Sequence, residues 1–184
     1  EEIPETVKEM LQDVMRLRSL VANMLMVSKI EADALEVMPA PLNAATEVRR
    51  ALSRAEASSS VQFSGAAFEI RTDAELLHTA LVEVFKNALL HGEATPEKPA
   101  AVRIERSGAE CRITIEDNGP GVPVDQLHRL GEKYFRVDSS LMYARRGTGL
   151  GLYIARLLIT KIGGRLLFER RQGGGMVCTV CLPL

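Results

Sequence analysis

The chain has 184 residues, 46% hydrophobic and 26% charged, with 23 Lys and Arg against 24 Asp and Glu for a net charge of -1, a balance that supports a buried core and gives no general electrostatic case for nucleic acid or an anionic membrane. Three cysteines, Cys111, Cys178 and Cys181, are too few for a disulfide framework and suit a reducing compartment, and no apolar run reaches the roughly 18 residues of a membrane span. Without a starting Met or a signal-type leader, the chain is expected to be a cytoplasmic fragment of a longer parent that can itself be membrane-anchored.

Ile3, Val7, Met10, Val14, Leu17, Val21 and Met24 are spaced alternately by four and three, the seam of a coiled coil or helical bundle, and predict a long first helix that cannot continue through Pro39 and Pro41. The seam can pack on its own domain or project toward a partner chain, and its length and regularity favour the partner. Residues 43 to 57 suit a second helix, and Val61 to Phe63 and Phe68 to Ile70 suit short strands around Ser64-Gly65. Asp73 can cap a helix from 73 to 91 that buries Leu77, Leu81, Val84 and Ala88 and stops at Gly92. Strands follow at Ala101 to Glu105 and Arg112 to Glu116, then a short helix over 123 to 130 and a polar loop over 131 to 146. A helix from 150 to 162 and two strands, 165 to 170 and 176 to 182 around Gly173-Gly174-Gly175, complete the chain. Strands and helices mix without strict alternation, which predicts an α+β fold with a helix layer on a mixed sheet.

Three places from residue 83 onward carry chemistry. Glu83, Asn87 and His91 recur every four residues and share one face of a helix. Such a stripe can simply be solvated, or its carboxylate and amide oxygens can ligate a hard cation such as Mg²⁺. Asp117-Asn118-Gly119-Pro120-Gly121 directly follows a strand; it is either an ordinary turn or a carboxylate that accepts from an exocyclic amine, with glycines that let a flat ring approach. Arg146-Gly147-Thr148-Gly149-Leu150-Gly151-Leu152 opens an apolar helix, where free N–H groups and the helix dipole favour phosphate. It lacks the Walker lysine and follows a loop instead of a strand, so neither a P-loop nor a Rossmann turn fits.

In this order and spacing the three sites resemble the N, G1 and G2 boxes of the catalytic and ATP-binding domain of sensor histidine kinases, within the superfamily that includes gyrase, the Hsp90 chaperones and MutL. Lys133 to Ser140 is similar to the F box of the histidine kinases, and Gly175 to Pro183 to the final strand. Arg16-Leu17 with Leu20 to Ile30 is similar to the second helix of the dimerisation and phosphotransfer hairpin. The resemblance implies a two-layer α/β sandwich preceded by a long helix, with residues 1 to 38 as the hairpin fragment and 39 to 184 as the ATP-binding domain. It implies ATP and Mg²⁺ as cofactors and transfer of the γ-phosphoryl group to a histidine. Asn87 would hold Mg²⁺ and Glu83 would orient metal-bound water, the two catalytic positions. His91 would border the nucleotide, Asp117 would accept from the adenine 6-amino group, and Gly119 and Gly121 would line the base pocket. Arg136 would reach the phosphates, and Gly147, Thr148, Gly149, Leu150 and Gly151 would wrap them, with residues 122 to 146 as a mobile lid. Implied partners are the parent's own hairpin with its phosphoacceptor histidine, a response regulator, and a second copy joined through the first helix; nucleic acid is not among them.

The chain departs from the family pattern at Leu90, where a lysine is frequent, and at His91, where an aromatic is common. None of His78, His91 and His128 stands in the acceptor context, so the chain is not expected to label itself; His78 reads as a partly exposed helix residue and His128 as a surface residue. Two other readings stay open: a degenerate domain that binds nucleotide or a partner without transfer, and a free-standing ATPase in which Glu83 activates water. Lys86, one turn before Leu90, can replace the missing lysine, although helical side chains lean toward the N-terminus and away from Leu90. Cys178 and Cys181 lie three apart in a strand and point to opposite faces. Arg145-Arg146 reads as a solvated pair or a lid contact to phosphate, and Arg170-Arg171 as a solvated strand end.

Overall fold

The computed structural model describes residues 5–56, 61–92, 95, 98–137 and 147–184. Ile3, Asp138 to Ser140 and Arg145-Arg146 lie outside the described residues. The chain divides into two compact units, Glu1–Leu35 and Glu36–Leu184.

The first unit contains helix α1, Glu5–Glu31. Its seam residues Val7, Met10, Val14, Leu17, Val21 and Met24 are all exposed, so the heptad pattern forms a helix without a covered seam.

The second unit is the expected α+β arrangement. A five-stranded sheet has the order β2 (Val61–Gly65), β4 (Ala100–Ser107), β5 (Glu110–Glu116), β7 (Met176–Pro183) and β6 (Arg165–Arg170). Strand β2 runs parallel to β4 and every other pair is antiparallel, which makes the sheet mixed. Helices α2 (Ala44–Arg54), α3 (Ala74–His91) and α4 (Gly151–Lys161) supply the second layer. Alternation along the central strands buries Val102, Ile104, Cys111, Ile113, Ile115, Cys178, Val180 and Leu182, while α3 and α4 bury Leu77, Leu81, Phe85, Ile154, Leu158 and Ile159.

Two local rules set the helix starts. Asp73 Oδ1 accepts from the N–H groups of Glu75 and Leu76 at 3.0 Å, and its Oδ2 accepts from the Met38 N–H at 2.8 Å, so this buried carboxylate caps α3 with both oxygens used. Asn43 Oδ1 caps α2 by accepting from the Thr46 N–H at 3.0 Å.

The stretch around Pro39 and Pro41, expected only as a break, contains strand β1 (Ala40–Asn43), antiparallel to β3 (Glu69–Thr72) in a separate two-stranded ribbon. A ribbon strand pairs on one side only, so Pro41 can turn its donor-less nitrogen outward. Strands β2 and β3 form as expected, but Ser64 and Gly65 belong to the first of them and the two do not pair with each other: β2 joins the main sheet and β3 joins β1. The segment 123–130 is a single 3₁₀ run, Val124–Arg129.

Candidate functional site

Helix α3 is the rail on which the three motifs meet. Glu83 and His91 lie eight residues apart, about 12 Å along the axis at 1.5 Å per residue. At the Glu83 end, a Cβ placed on Gly151 would fall 2.7 Å from Glu83 Oε2, so the carboxylate abuts the first residue of α4. Further along, Gly147 sits beside the Leu90 side chain. At the far end a Cβ on Gly119 would collide with the His91 carbonyl oxygen, a gap only glycine tolerates. The motifs read separately along the chain are thus brought to one helix.

Asp117, the first residue after β5, is buried. Its Oδ1 accepts from the N–H groups of Gly119 and Met176, both at 3.0 Å. Burial raises its carboxyl above the usual carboxylate range, and the two N–H donors, His91 and Arg171 only partly counter that rise. A desolvated carboxylate fixed through one oxygen can present the other to an external N–H donor. Gly121 backs onto Gly175, with 3.0 Å from a Cβ placed on it to the Gly175 carbonyl oxygen.

His91 is half-buried, and its imidazole is held below the ordinary range by burial first and by the Arg136 charge second, against an opposing pull from Asp117. Arg136 itself is exposed. Neutral imidazole can donate and accept at once.

The glycine-rich turn closes on the F-box segment. Tyr134 adopts φ 64° and its N–H donates to the Gly149 carbonyl at 3.1 Å, while Gly149 adopts φ 71° and a Cβ placed on it would meet the Tyr134 backbone. The Leu150 N–H donates to Thr148 Oγ1 at 3.3 Å, and Leu150 is buried at the cap position of α4. Within α4 the bond from the Ile154 N–H to the Leu150 carbonyl ties the cap residue into the helix, and the N–H groups of Gly151 and Leu152 precede the first intrahelical turn. A helix start of this kind favours an anion. The Lys133 ammonium lies 5.9 Å from the Tyr134 ring and 5.8 Å from the Tyr153 ring, bridging the segment to α4.

Glu83 and Asn87 sit one turn apart and are both partly buried. Lys86 Nζ donates to Glu83 Oε1 at 3.1 Å, so this lysine leans toward the N-terminus and away from Leu90. Among the described residues no group of three or more His, Cys, Asp or Glu could hold a metal. Glu83 and Asn87 offer hard oxygen donors at one place. That limited set suits a cation that keeps waters and takes its remaining ligands from a phosphate, the habit of Mg²⁺.

Sequence reading missed one side chain here. Arg171 is not merely a solvated strand end: its Nη1 donates to Asn118 Oδ1 at 2.9 Å, and its Nε lies 3.6 Å from Glu116 Oε2. Nothing local in the sequence marks it, because the contact exists only once the β6–β7 turn packs beside the end of β5. His78 is half-buried with Nδ1 lacking a partner, and His128 is exposed, both as expected. Cys111, Cys178 and Cys181 are buried free thiols, and burial pushes Cys111 up to about 11.

The family described as histidine kinase-, DNA gyrase B-, and HSP90-like ATPase matches residues 72–184. The chain belongs to that family. It is 27% identical over 182 residues to the signal transduction histidine-protein kinase AfsQ2 of Streptomyces coelicolor, covering 98% of this chain and 33% of that protein. It is 25% identical over 189 residues to the sensor protein SrrB of Staphylococcus aureus, covering all of this chain and 32% of that one. The chain therefore spans about a third of the length of these relatives. Among solved structures, the mycobacterial sensor histidine kinase MprB aligns with a TM-score of 0.68 at 25% identity, over 78% of this chain and 97% of that one. Full-length ShkA in complex with AMPPNP aligns with a TM-score of 0.75 at 22% identity, over all of this chain and 40% of that one, and shows the shared fold. Fold and family together make the second unit an ATP-binding module of the sensor histidine kinase type.

Proposed function

We propose that the chain is the kinase module of a two-component sensor histidine kinase, passing the γ-phosphoryl group of ATP to a histidine on a dimerisation hairpin outside residues 1–184. The observation that carries this reading is the convergence on α3 of a buried carboxylate, Asp117, a polar pair, Glu83 and Asn87, and a glycine-rich helix start.

In this reading Asp117 accepts from the adenine 6-amino group, with Gly119 and Gly121 giving the ring room. The N–H groups at the start of α4 and the Arg136 guanidinium take the polyphosphate, and Gly147 to Gly151 shape the turn around it. Asn87 would hold Mg²⁺, which when bound supplies charge neutralisation at the phosphates, and Glu83 would orient its water. Such transfer needs positioning and charge stabilisation, which these fixed dipoles and donors provide. Residues 1–38 serve as the second hairpin helix, pairing with a second copy of the parent, and a response regulator receives the phosphoryl group next. The chain works in the cytoplasm, whatever anchors the parent.

Calorimetry with ATP and with adenosine, each with and without Mg²⁺, tests the assignment. Asn87→Ala should abolish the Mg²⁺ dependence of ATP binding and leave adenosine binding intact. Equal losses for adenosine and ATP would contradict the metal role.

A further inference from the structure

Arg171 follows β6 in the turn to β7, outside every motif given a nucleotide role. Its guanidinium spans three consecutive residues at the end of β5. Nη1 donates to Asn118 Oδ1 at 2.9 Å and lies 3.4 Å from the Asp117 carbonyl oxygen, and Nε lies 3.6 Å from Glu116 Oε2. Asn118 is itself tied down on its other side. Its Nδ2 donates to the carbonyls of Lys98 at 3.2 Å and Pro99 at 3.0 Å, and its backbone N–H donates to the Gly92 carbonyl at 3.0 Å. The turn bearing Arg171 is closed by bonds from the Arg171 N–H to the Gly175 carbonyl at 3.1 Å and from the Gly174 N–H to the Arg171 carbonyl at 3.3 Å.

The two N–H groups that fix Asp117 Oδ1 come from opposite sides of this contact: Gly119 belongs to the loop after β5, and Met176 begins β7. The β5–β7 ladder ends at the pair Glu116–Val177, and beyond it Asp117 and Met176 are joined by the bond from the Asp117 N–H to the Met176 carbonyl and by the bond from the Met176 N–H to Asp117 Oδ1. Arg171 is the next fastener between the two segments. Drift of either segment would turn the carboxylate, since each carries one of its two donors.

We infer that Arg171 is a positioning residue for base recognition, clamping the Asp117–Asn118 peptide to the β6–β7 turn so that the Asp117 carboxylate is aimed at the exocyclic amine of the bound base. This inference rests on the adenine role proposed for Asp117. The Arg171 side chain is 42% exposed and its ion pair is a surface one, so the fold gains little from it. Its effect falls on aim instead of stability.

The test compares the affinity of ATP with that of purine riboside triphosphate, which lacks the 6-amino group, for the unmodified chain, Arg171→Gln, Arg171→Lys, Asp117→Asn and the Arg171→Gln/Asp117→Asn double variant. The unmodified chain should prefer ATP. Arg171→Gln should reduce that preference by about threefold to tenfold, the scale of one hydrogen bond, with melting temperature shifted by no more than about 4 °C. Arg171→Lys keeps the charge but not the fork and should lose a comparable factor. In the Asp117→Asn background Arg171→Gln should change nothing, because no carboxylate is left to aim. Unaltered preference in Arg171→Gln, or the same loss in the Asp117→Asn background, would overturn the inference. If the unmodified chain shows no preference for ATP, the adenine role of Asp117 fails and the inference falls with it.

Discussion

The Tyr134 N–H donates to the Gly149 carbonyl at 3.1 Å, and both residues hold positive φ, so the F-box segment and the glycine-rich turn are locked as one unit. A Cβ on Gly149 would lie 2.9 Å from the Tyr134 carbonyl carbon. Gly149→Ala therefore meets both backbone strain and a clash. It is expected to cost about 1 to 2 kcal/mol from the left-handed φ alone, read from chemical denaturation. With the turn in the phosphate-binding role proposed for it, Gly149→Ala should also weaken ATP more than adenosine; equal weakening would place the turn at the base.

Asp117→Asn separates recognition from stability. Asn keeps an acceptor for the Gly119 and Met176 N–H groups but loses the charged acceptor proposed to receive the adenine amine. ATP affinity should fall about tenfold to a hundredfold, the scale of a charge-assisted hydrogen bond. The folded-state pKa of Asp117 is raised, so its carboxyl binds a proton more tightly folded than unfolded. Its contribution to stability is full below the unfolded pKa and is lost as pH rises through the folded pKa. At neutral pH the buried charge is thus a cost, and Asp117→Asn should leave the melting temperature unchanged or higher while the gain vanishes in acid. A lower melting temperature at neutral pH would show that the carboxylate is structurally required.

How much of this was readable in the residues depends on the range of each interaction. Asp73 as a cap and the buried stripe of α3 are short-range features, and each stands in the sequence as a spacing. Strand β1 did not, because Pro41 argues against a strand until a one-sided ribbon makes it tolerable. The nucleotide motifs were legible as local patterns whose meaning came from their order. Arg171, and the packing of Gly119 on His91 and of Gly175 on Asp117, were invisible, since they depend on which segments the sheet order places side by side.

His91 reports on Arg136. Burial and the Arg136 charge both lower its pKa, so in the folded state it resists protonation. A His depressed in this way contributes stability above the ordinary pKa that is lost as pH falls below it. Arg136→Ala should move the His91 pKa upward, measured by NMR titration of the imidazole, and the shift should shrink as salt rises. An unmoved pKa would separate the two residues.

The Lys86–Glu83 pair bears on the lysine absent at Leu90. With its ammonium directed at Glu83, Lys86→Ala should lower the ATP-to-adenosine affinity ratio less than Arg136→Ala does, and both effects should fade with salt. A loss from Lys86→Ala equal to that from Arg136→Ala would make Lys86 a phosphate donor.

The exposed seam of α1 predicts weak self-association, because one helix buries only part of a hairpin interface. Val14→Glu with Leu17→Glu should abolish it in sedimentation experiments. A dimer stable at micromolar concentration in that double variant would place the interface elsewhere.

The most direct measurement mixes the chain with Mg²⁺, ATP labelled at the γ-phosphate, and a dimerisation hairpin from the parent that carries the acceptor histidine. Acid-labile, base-stable label should appear on the hairpin, none should appear on the chain, and Asn87→Ala should abolish the transfer. Label on His78, His91 or His128, or nucleotide binding and phosphate release with the hairpin left unlabelled, would contradict the account.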